Sequence, residues 1–209
     1  MGEAKIRLSQ KEREIILDTS FILTKRAVIE KISSMLTELQ AEERKWLAIH
    51  FPENEFTLSA PKISKGENYL GLPYLVLDYP RMFGQEDILA IRTLFWWGNY
   101  FSATLHLAGG HKIKYCENVI LDYYKLKDNG FSVCINSDQW SHEFTPANYI
   151  LLNTIDQKEF RQICEEGSFI KIAKKIPLDD WENLPELLMT AFQEISRALI
   201  NYQGDEIIP

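Results

Sequence analysis

The stretch "TLFWWGNYFSATLHLAGGH", residues 93–111, contains the strongest fold signal in the chain. β-Branched and aromatic side chains fill both of its halves, and such residues favour strands. Gly98 and Asn99 separate the halves, and a glycine in first place is typical of a two-residue hairpin turn. The sequence therefore predicts an antiparallel hairpin that extends over residues 88–108.

A two-residue turn would set Trp97 opposite Tyr100 and Trp96 opposite Phe101, and side chains would then alternate between two faces. The predicted core face includes Arg92 among apolar residues: Ala90, Leu94, Trp96, Phe101, Ala103, Leu105 and Leu107. The second face mixes rings with hydroxyls: Ile91, Thr93, Phe95, Trp97, Tyr100, Ser102, Thr104 and His106. This second surface is called the mixed face below.

Outside the hairpin, helical and strand patterns follow one another along the chain. Residues 1–50 have apolar residues at helical spacing, with caps expected at Ser9 and Asp18, which predicts two helices or one bent helix. Residues 51–178 read as strands with two intervening helices, and residues 74–80 form a strand that Pro80 is expected to stop. Residues 179–203 predict a long C-terminal helix.

This order of elements lacks regular alternation of strand and helix. It predicts one α+β domain over residues 1–209, with a largely antiparallel sheet and helices packed mainly on one face. The length of 209 residues suits one domain that buries a sizeable core.

Composition restricts the function classes. The net charge is −7, and an acidic chain is a poor partner for nucleic acid, since phosphate binding relies on clustered lysine and arginine. No apolar run approaches the ~20 residues of a membrane span. No common cofactor motif occurs, so we expect no cofactor. Three cysteines without a CxxC pair predict free thiols and a cytoplasmic protein.

The mixed face is the leading candidate site, because binding clefts combine aromatic walls with a few polar groups. Asp78 and Arg92 join it, since buried charges need a partner, either each other or a ligand. The candidate ligand-binding residues are Phe95, Trp97, Tyr100, Thr104, His106, Arg92 and Asp78. We expect a non-catalytic module that binds a small molecule or a protein partner through these residues.

Other interpretations stay open at this stage. Asp78, His106 and His111 would suit a metal-dependent or acid–base hydrolase, so whether the protein is an enzyme is left undecided. The mixed face would be ordinary core if a helix covered it. Independently of that, Asp78 and Arg92 could form a structural ion pair, or Arg92 could extend its charged end to the sheet edge. The sequence leaves the oligomeric state open as well.

Overall fold

The computed structural model describes residues 6–52 and 54–199. The helices are α1 (Gln10–Leu17), α2 (Thr19–His50), α3 (Gly109–Leu121), α4 (Tyr123–Asp128), α5 (Gln157–Glu166) and α6 (Leu184–Arg197). The strands are β1 (Lys62–Tyr69), β2 (Leu72–Phe83), β3 (Ile88–Trp96), β4 (Tyr100–Ala108), β5 (Ser132–Cys134), β6 (Tyr149–Leu151) and β7 (Phe169–Pro177). Short 3-10 turns lie at Glu55–Leu58 and Leu152–Thr154.

All seven strands belong to one antiparallel sheet, in the order β1-β2-β3-β4-β7-β5-β6. β1 and β6 are therefore its two edges. The side chains of α2 to α6 pack on one side of the sheet, here called the helix face, and form the main core with it. The predicted α+β fold with an antiparallel sheet is confirmed.

The opposite side of the sheet, called the loop face, has smaller apolar clusters. These contain Val76, Leu94, Trp96 and Tyr100 in one group, and Cys134, Tyr149 and Ala173 in another. Phe144 packs against both groups. It belongs to residues 135–148, the segment between β5 and β6, which is called the connection. A loop therefore covers this face where a helix covers the other.

The N-terminal region forms two helices, one of the two arrangements that its pattern predicts, and both expected caps are present. Ser9 Oγ accepts from Glu12 N at 3.2 Å, while the Glu12 carboxylate accepts from Ser9 N at 2.6 Å. Asp18 ends α1 and caps α2 by accepting from Ser20 N at 2.9 Å. Residues 1–5 of the predicted helical region lie outside the described residues.

The C-terminal helix packs where its apolar stripe predicts. In α6, Leu188, Phe192 and Ile195 are fully buried, and Phe192 meets Trp46 of α2 edge-on with ring centroids 6.0 Å apart. The helix starts at Leu184 and not at residue 179. Residues 200–203 of the prediction lie outside the described residues.

The predicted two-residue turn is wrong. Trp96 pairs with Tyr100 and Phe95 with Phe101, so the loop has three residues and its Gly98 adopts φ +71°. Asn99 N donates to Trp96 O at 3.0 Å and closes this loop. The extra residue shifts β3 by one position against β4, which exchanges the two faces of β3.

The prediction that Pro80 stops its strand is also wrong. β2 continues to Phe83, and its pairing with β3 shifts register between Asp78 and Arg81. A bulge of this kind takes residues out of the ladder, which lets the strand continue past a proline that has no N–H to donate.

Two further expectations can be compared with the fold. Cys116, Cys134 and Cys164 are all free thiols. Within residues 6–52 and 54–199, no helix combines the length and the apolar character needed to cross a bilayer.

One residue of the helix-face core is out of keeping with its surroundings. Glu43 of α2 is buried, and both of its carboxylate oxygens lack a hydrogen-bond partner among the described residues. Burial raises the pKa of this carboxyl well above its usual range. The folded protein therefore holds this proton more tightly than the unfolded chain, in which the carboxyl ionises above about pH 4.3.

We expect Glu43→Leu to raise the free energy of unfolding at neutral pH by about 1–3 kcal/mol, the usual cost of an unsatisfied buried polar group. The folded state binds this proton more tightly than the unfolded chain, so the stability of the wild type falls as pH rises above the unfolded pKa. The gain should therefore shrink toward about pH 4. Chemical denaturation at both pH values measures it.

Glu42→Leu is the control, because Glu42 is exposed on the same helix and, among the described residues, its side chain pairs only with Lys45 at the surface. It should leave the pH dependence of stability unchanged. A Glu43→Leu protein less stable than wild type at both pH values would contradict the assignment of an unpartnered carboxyl.

Candidate functional site

Polar side chains form a continuous strip across the loop face. Asp78, Arg92 and Thr104 stand directly opposite one another on β2, β3 and β4. One step along the strands, His106 of β4 stands opposite Lys171 of β7. Residues opposite each other in an antiparallel sheet project from the same face, so the ladder itself brings these five together.

A bidentate ion pair lies at the centre of the strip. Arg92 Nε donates to Asp78 Oδ1 at 2.7 Å and Arg92 Nη2 donates to Asp78 Oδ2 at 3.1 Å. The side chains are 15% and 7% exposed, respectively. The third nitrogen, Arg92 Nη1, lies 3.0 Å from His142 Nε2. Asp78 and Arg92 thus form the structural ion pair that was one of the sequence interpretations.

The hydrogen bonds determine the protonation of the two imidazoles. A guanidinium has no acceptor, so His142 Nε2 must accept from Arg92, which leaves the ring proton on Nδ1. His106 Nε2 lies 3.0 Å from Gln139 Oε1 and donates to it. Burial is the main cause that lowers the pKa of His142 to about 2 and of His106 to about 3, with Lys171 adding repulsion. Both rings are neutral at physiological pH.

Lys171 fixes the connection to the sheet. Its side chain is fully buried, and Nζ donates to Ser141 O at 2.5 Å. Burial lowers the pKa of Lys171 to about 8, and no carboxylate of the described residues lies within ion-pair distance of it. The ammonium is therefore held by a neutral carbonyl and by the face of the Tyr149 ring, 5.5 Å away.

Two tyrosines add further contacts between the sheet and the connection. Tyr69 OH accepts from His142 N at 2.7 Å and donates to the Glu143 carboxylate at 2.5 Å. Tyr100 OH accepts from Phe144 N at 3.2 Å and donates to His142 O at 3.2 Å. Residues 141–144 are thus bound to the loop face through both side chains and backbone.

Trp140 stands at the edge of this anchored segment, with 46% of its surface exposed. Its ring lies edge-on to His106 with centroids 5.4 Å apart, and the Arg92 guanidinium carbon is 5.9 Å from its centroid. On the other side, the Phe83 ring centroid is 6.3 Å away. Trp140 therefore bridges the polar strip and the turn between β2 and β3.

A cleft of about 830 Å³ opens at this point. Its charged lining residues are Lys62, Asp78, Arg81, Glu86 and Arg92. Its apolar and aromatic lining residues are Phe83, Ile88, Ala108, Trp140 and Phe169. This volume lies within the roughly 300–1,000 Å³ that is usual for sites of small molecules.

The structure brings together some of the predicted site residues and separates others. Asp78, Arg92, Tyr100, Thr104 and His106 all lie on the loop face. Phe95 and Trp97 do not join them. They pack with the helix-face core instead, because the three-residue turn exchanges the faces of β3.

His111, from the alternative catalytic set, lies in the first turn of α3, whose buried residues pack on the helix face. His106 points to the loop face. Among the described residues, no group of three or more histidine, cysteine, aspartate or glutamate side chains is placed to hold a metal ion.

Sequence reasoning missed several residues of the site. In the sequence, Lys171 alternates with Phe169 and Ala173 on one face of a strand. This alternation with apolar residues is a signal that could have marked Lys171 as buried. Trp140 and His142 come from a loop without periodicity, so no local pattern could assign them. Arg81 was hidden by the expectation that the strand ended before it.

We expect Arg92→Met to cost about 3–5 kcal/mol of unfolding free energy, because it leaves the Asp78 charge buried and unpaired. The double variant Asp78→Leu/Arg92→Met should cost much less than the sum of the two single changes. Urea denaturation of all four proteins gives the coupling energy.

The exposed pair of Arg161 and Glu117 offers a matched control. Its coupling energy should stay within about 1 kcal/mol, as for other surface pairs. Additive losses at Asp78 and Arg92 would show that the two residues act independently.

A second prediction concerns the imidazoles. Long-range proton–nitrogen NMR spectra should find His142 with its proton on Nδ1 and His106 with its proton on Nε2, both neutral down to about pH 4. In the urea-unfolded chain the same rings should titrate near about pH 6.5. Since the unfolded state binds these protons first, stability should fall as pH drops below that value. A doubly protonated His142 at pH 6 would contradict the hydrogen bond from Arg92.

No protein-family model matches this chain, and no curated protein matches it in sequence. The function is therefore argued from the geometry of the loop face.

Proposed function

We propose that the protein is a non-catalytic binding module for a small anionic molecule with a flat apolar part, and that the cleft beside Trp140 is its site. The observation that carries this proposal is the pairing of unneutralised cations with an exposed aromatic wall in one concave space. The residues differ in part from those expected from the sequence, since Trp140 and Phe83 take the places of Trp97 and Phe95.

The charges of the cleft favour an anion. Three cations line it against two carboxylates, in a chain whose net charge is −7. Asp78 neutralises Arg92. Arg81 and Lys62 have no carboxylate within ion-pair distance among the described residues. Arg81 instead lies over the Phe83 ring, 5.2 Å from its centroid, which orients its guanidinium without neutralising it.

The aromatic walls favour a flat apolar group beside the charge. Trp140 is nearly half exposed, although it is held in place by His106 and Phe83. An exposed yet ordered indole offers stacking area at low entropic cost. Arg92 adds donors, because its three hydrogen bonds to described residues leave two of the five guanidinium N–H groups for a ligand.

Hydrolysis is the weaker candidate. An acid–base catalyst works best with a pKa near the operating pH, whereas burial moves the pKa of His106 far below neutrality. Asp78 already accepts two bonds from Arg92, and His111 belongs to a helix on the other face. A protein partner fits less well than a small molecule, since the site is concave.

We also propose that the chain forms one domain and works in the cytoplasm. Support for one domain comes from the single sheet that all seven strands share. Support for the compartment comes from the three free thiols.

The test uses matched aromatic pairs such as benzoate with benzamide, which differ in charge and hardly in shape. The Trp140 indole N–H signal, assigned through Trp140→Phe, reports binding in proton–nitrogen NMR titrations. We expect the carboxylates to bind about tenfold more tightly than their amides, since a charge-assisted bond contributes roughly 1.5–3 kcal/mol.

Arg81→Gln should remove this preference without unfolding the protein. Arg81 has no ion-pair partner among the described residues, so the change leaves no buried carboxylate unpaired. Arg197→Gln, at an exposed cation of α6 away from the cleft, is the control and should keep it. Equal binding of acids and amides would refute an anion site in this cleft. Chemical-shift changes confined to residues distant from Trp140 would refute it as well.

A further inference from the structure

The N-terminal end of the chain presents an apolar surface that the rest of the described protein leaves uncovered. Here the arm means residues 9–31, which comprise α1 and the first turns of α2. α1 has no buried residue, and Leu17 is 81%, Ile16 70% and Leu23 61% exposed. Contiguous exposed apolar surface on a folded protein marks an interaction site.

The arm is built as a helix although nothing described packs on its first part. Ser9 and Glu12 form a complete capping box at the start of α1, and Asp18 caps the start of α2. An isolated helix of eight residues is marginal in water, because nucleation costs more than so few bonds return. A short capped helix with outward apolar residues would gain stability from a partner that covers them.

The apolar residues of the arm are arranged symmetrically. Residues 15–17 are Ile-Ile-Leu and residues 21–23 are Phe-Ile-Leu, at equal distances on either side of Thr19. An interface around a two-fold axis is self-complementary. If one patch of the first copy contacts a different patch of the second copy, the reverse contact is made as well. Two antiparallel arms that cross near Thr19 would place each apolar triplet against the other triplet of the partner.

The charges of the arm fit the same arrangement. Residues 9–20 contain three acidic and two basic residues, whereas residues 21–31 contain one acidic and three basic residues. Lys25 is already paired with Glu67 of β1, which leaves a net positive charge on the second half and a net negative charge on the first. Antiparallel pairing sets the net acidic half of one arm beside the net basic half of the other. Parallel pairing would set like charge beside like charge, which is unfavourable between neighbouring helices.

We infer that the arm binds the arm of a second copy of this chain, antiparallel across a two-fold axis near Thr19, and that the protein is a homodimer in solution. An anionic bilayer is the weaker occupant, because membrane-surface helices rely on clustered lysine and arginine. The arm mixes both signs, and the chain as a whole is acidic.

Sedimentation velocity on the full chain tests the inference. The wild type should sediment at twice the chain mass of 24.4 kDa. Leu17→Gln/Leu23→Gln should raise the dissociation constant at least about tenfold, since each leucine loses its burial in the dimer. Glutamine is a good helix former, so the arm itself should stay helical in circular dichroism.

Ile49→Gln/Ile113→Gln is the matched control, because these residues are 74% and 82% exposed on α2 and α3, outside the arm. It should sediment like the wild type. Charge reversal then tests the orientation, because an axis at Thr19 sets Arg26 of one arm opposite Glu12 of the other. Glu12→Lys and Arg26→Glu should each weaken the dimer, and the double variant should restore binding relative to either single variant.

Each opposite result overturns the inference. A monomeric wild type, or a dimer that is unaffected by the Leu17 and Leu23 changes, removes the arm as the interface. Failure of the double reversal to restore binding removes the antiparallel arrangement. Leucine-dependent cosedimentation of a monomeric wild type with phosphatidylserine vesicles would assign the arm to a membrane.

Discussion

The three-residue turn between β3 and β4 is the constraint on which both faces of the sheet depend. Gly98 takes a positive φ that other residues adopt at a cost, and the extra residue sets Phe95 opposite Phe101. Because side chains alternate strictly along a strand, a slip of one position would turn Arg92 into the helix-face core and Phe95 toward the connection. The turn thus decides which side of the protein is dry and which is polar.

The long elements could be predicted from the sequence because each has a local cause. Capping residues at Ser9 and Asp18 and the apolar stripe of α6 depend only on neighbours in the chain. The turn could not be assigned in this way, since Gly-Asn suits loops of two and of three residues and the choice depends on pairing across the sheet. An error of one residue there exchanges Phe95 and Arg92 between faces, and it removes Phe95 and Trp97 from the candidate site.

The remaining residues of the site depend on contacts distant in sequence. His142 lies beside Arg92 across 50 positions, and Lys171 reaches Ser141 across 30. Nothing in the composition of residues 135–148 indicates that they cover a sheet, because a loop held by side-chain hydrogen bonds has no periodicity. Arg92, Asp78 and His106 were found because they sit on strands, where alternation makes a polar residue conspicuous.

Neutral groups hold the buried cations of the loop face. Lys171 is held by a carbonyl oxygen, and the outer nitrogen of Arg92 is held by an imidazole whose own pKa is lowered by burial and by these same cations. A second carboxylate would bind more strongly, but it would also neutralise the charge that it contacts. Polar neutral acceptors satisfy the donors and leave the charge in place.

The edges of the sheet affect how the protein behaves when it is concentrated. β1 is a free edge of eight residues, and an exposed edge of that length is a template for aggregation. Lys62 and Lys65 are exposed along it, and its pairing with β2 is irregular between Gly66 and Tyr69. An incoming strand would have to desolvate both ammonium groups and follow a broken register. The other edge, β6, has only three residues. Both edges therefore disfavour edge-to-edge aggregation, although the strands are rich in aromatic residues.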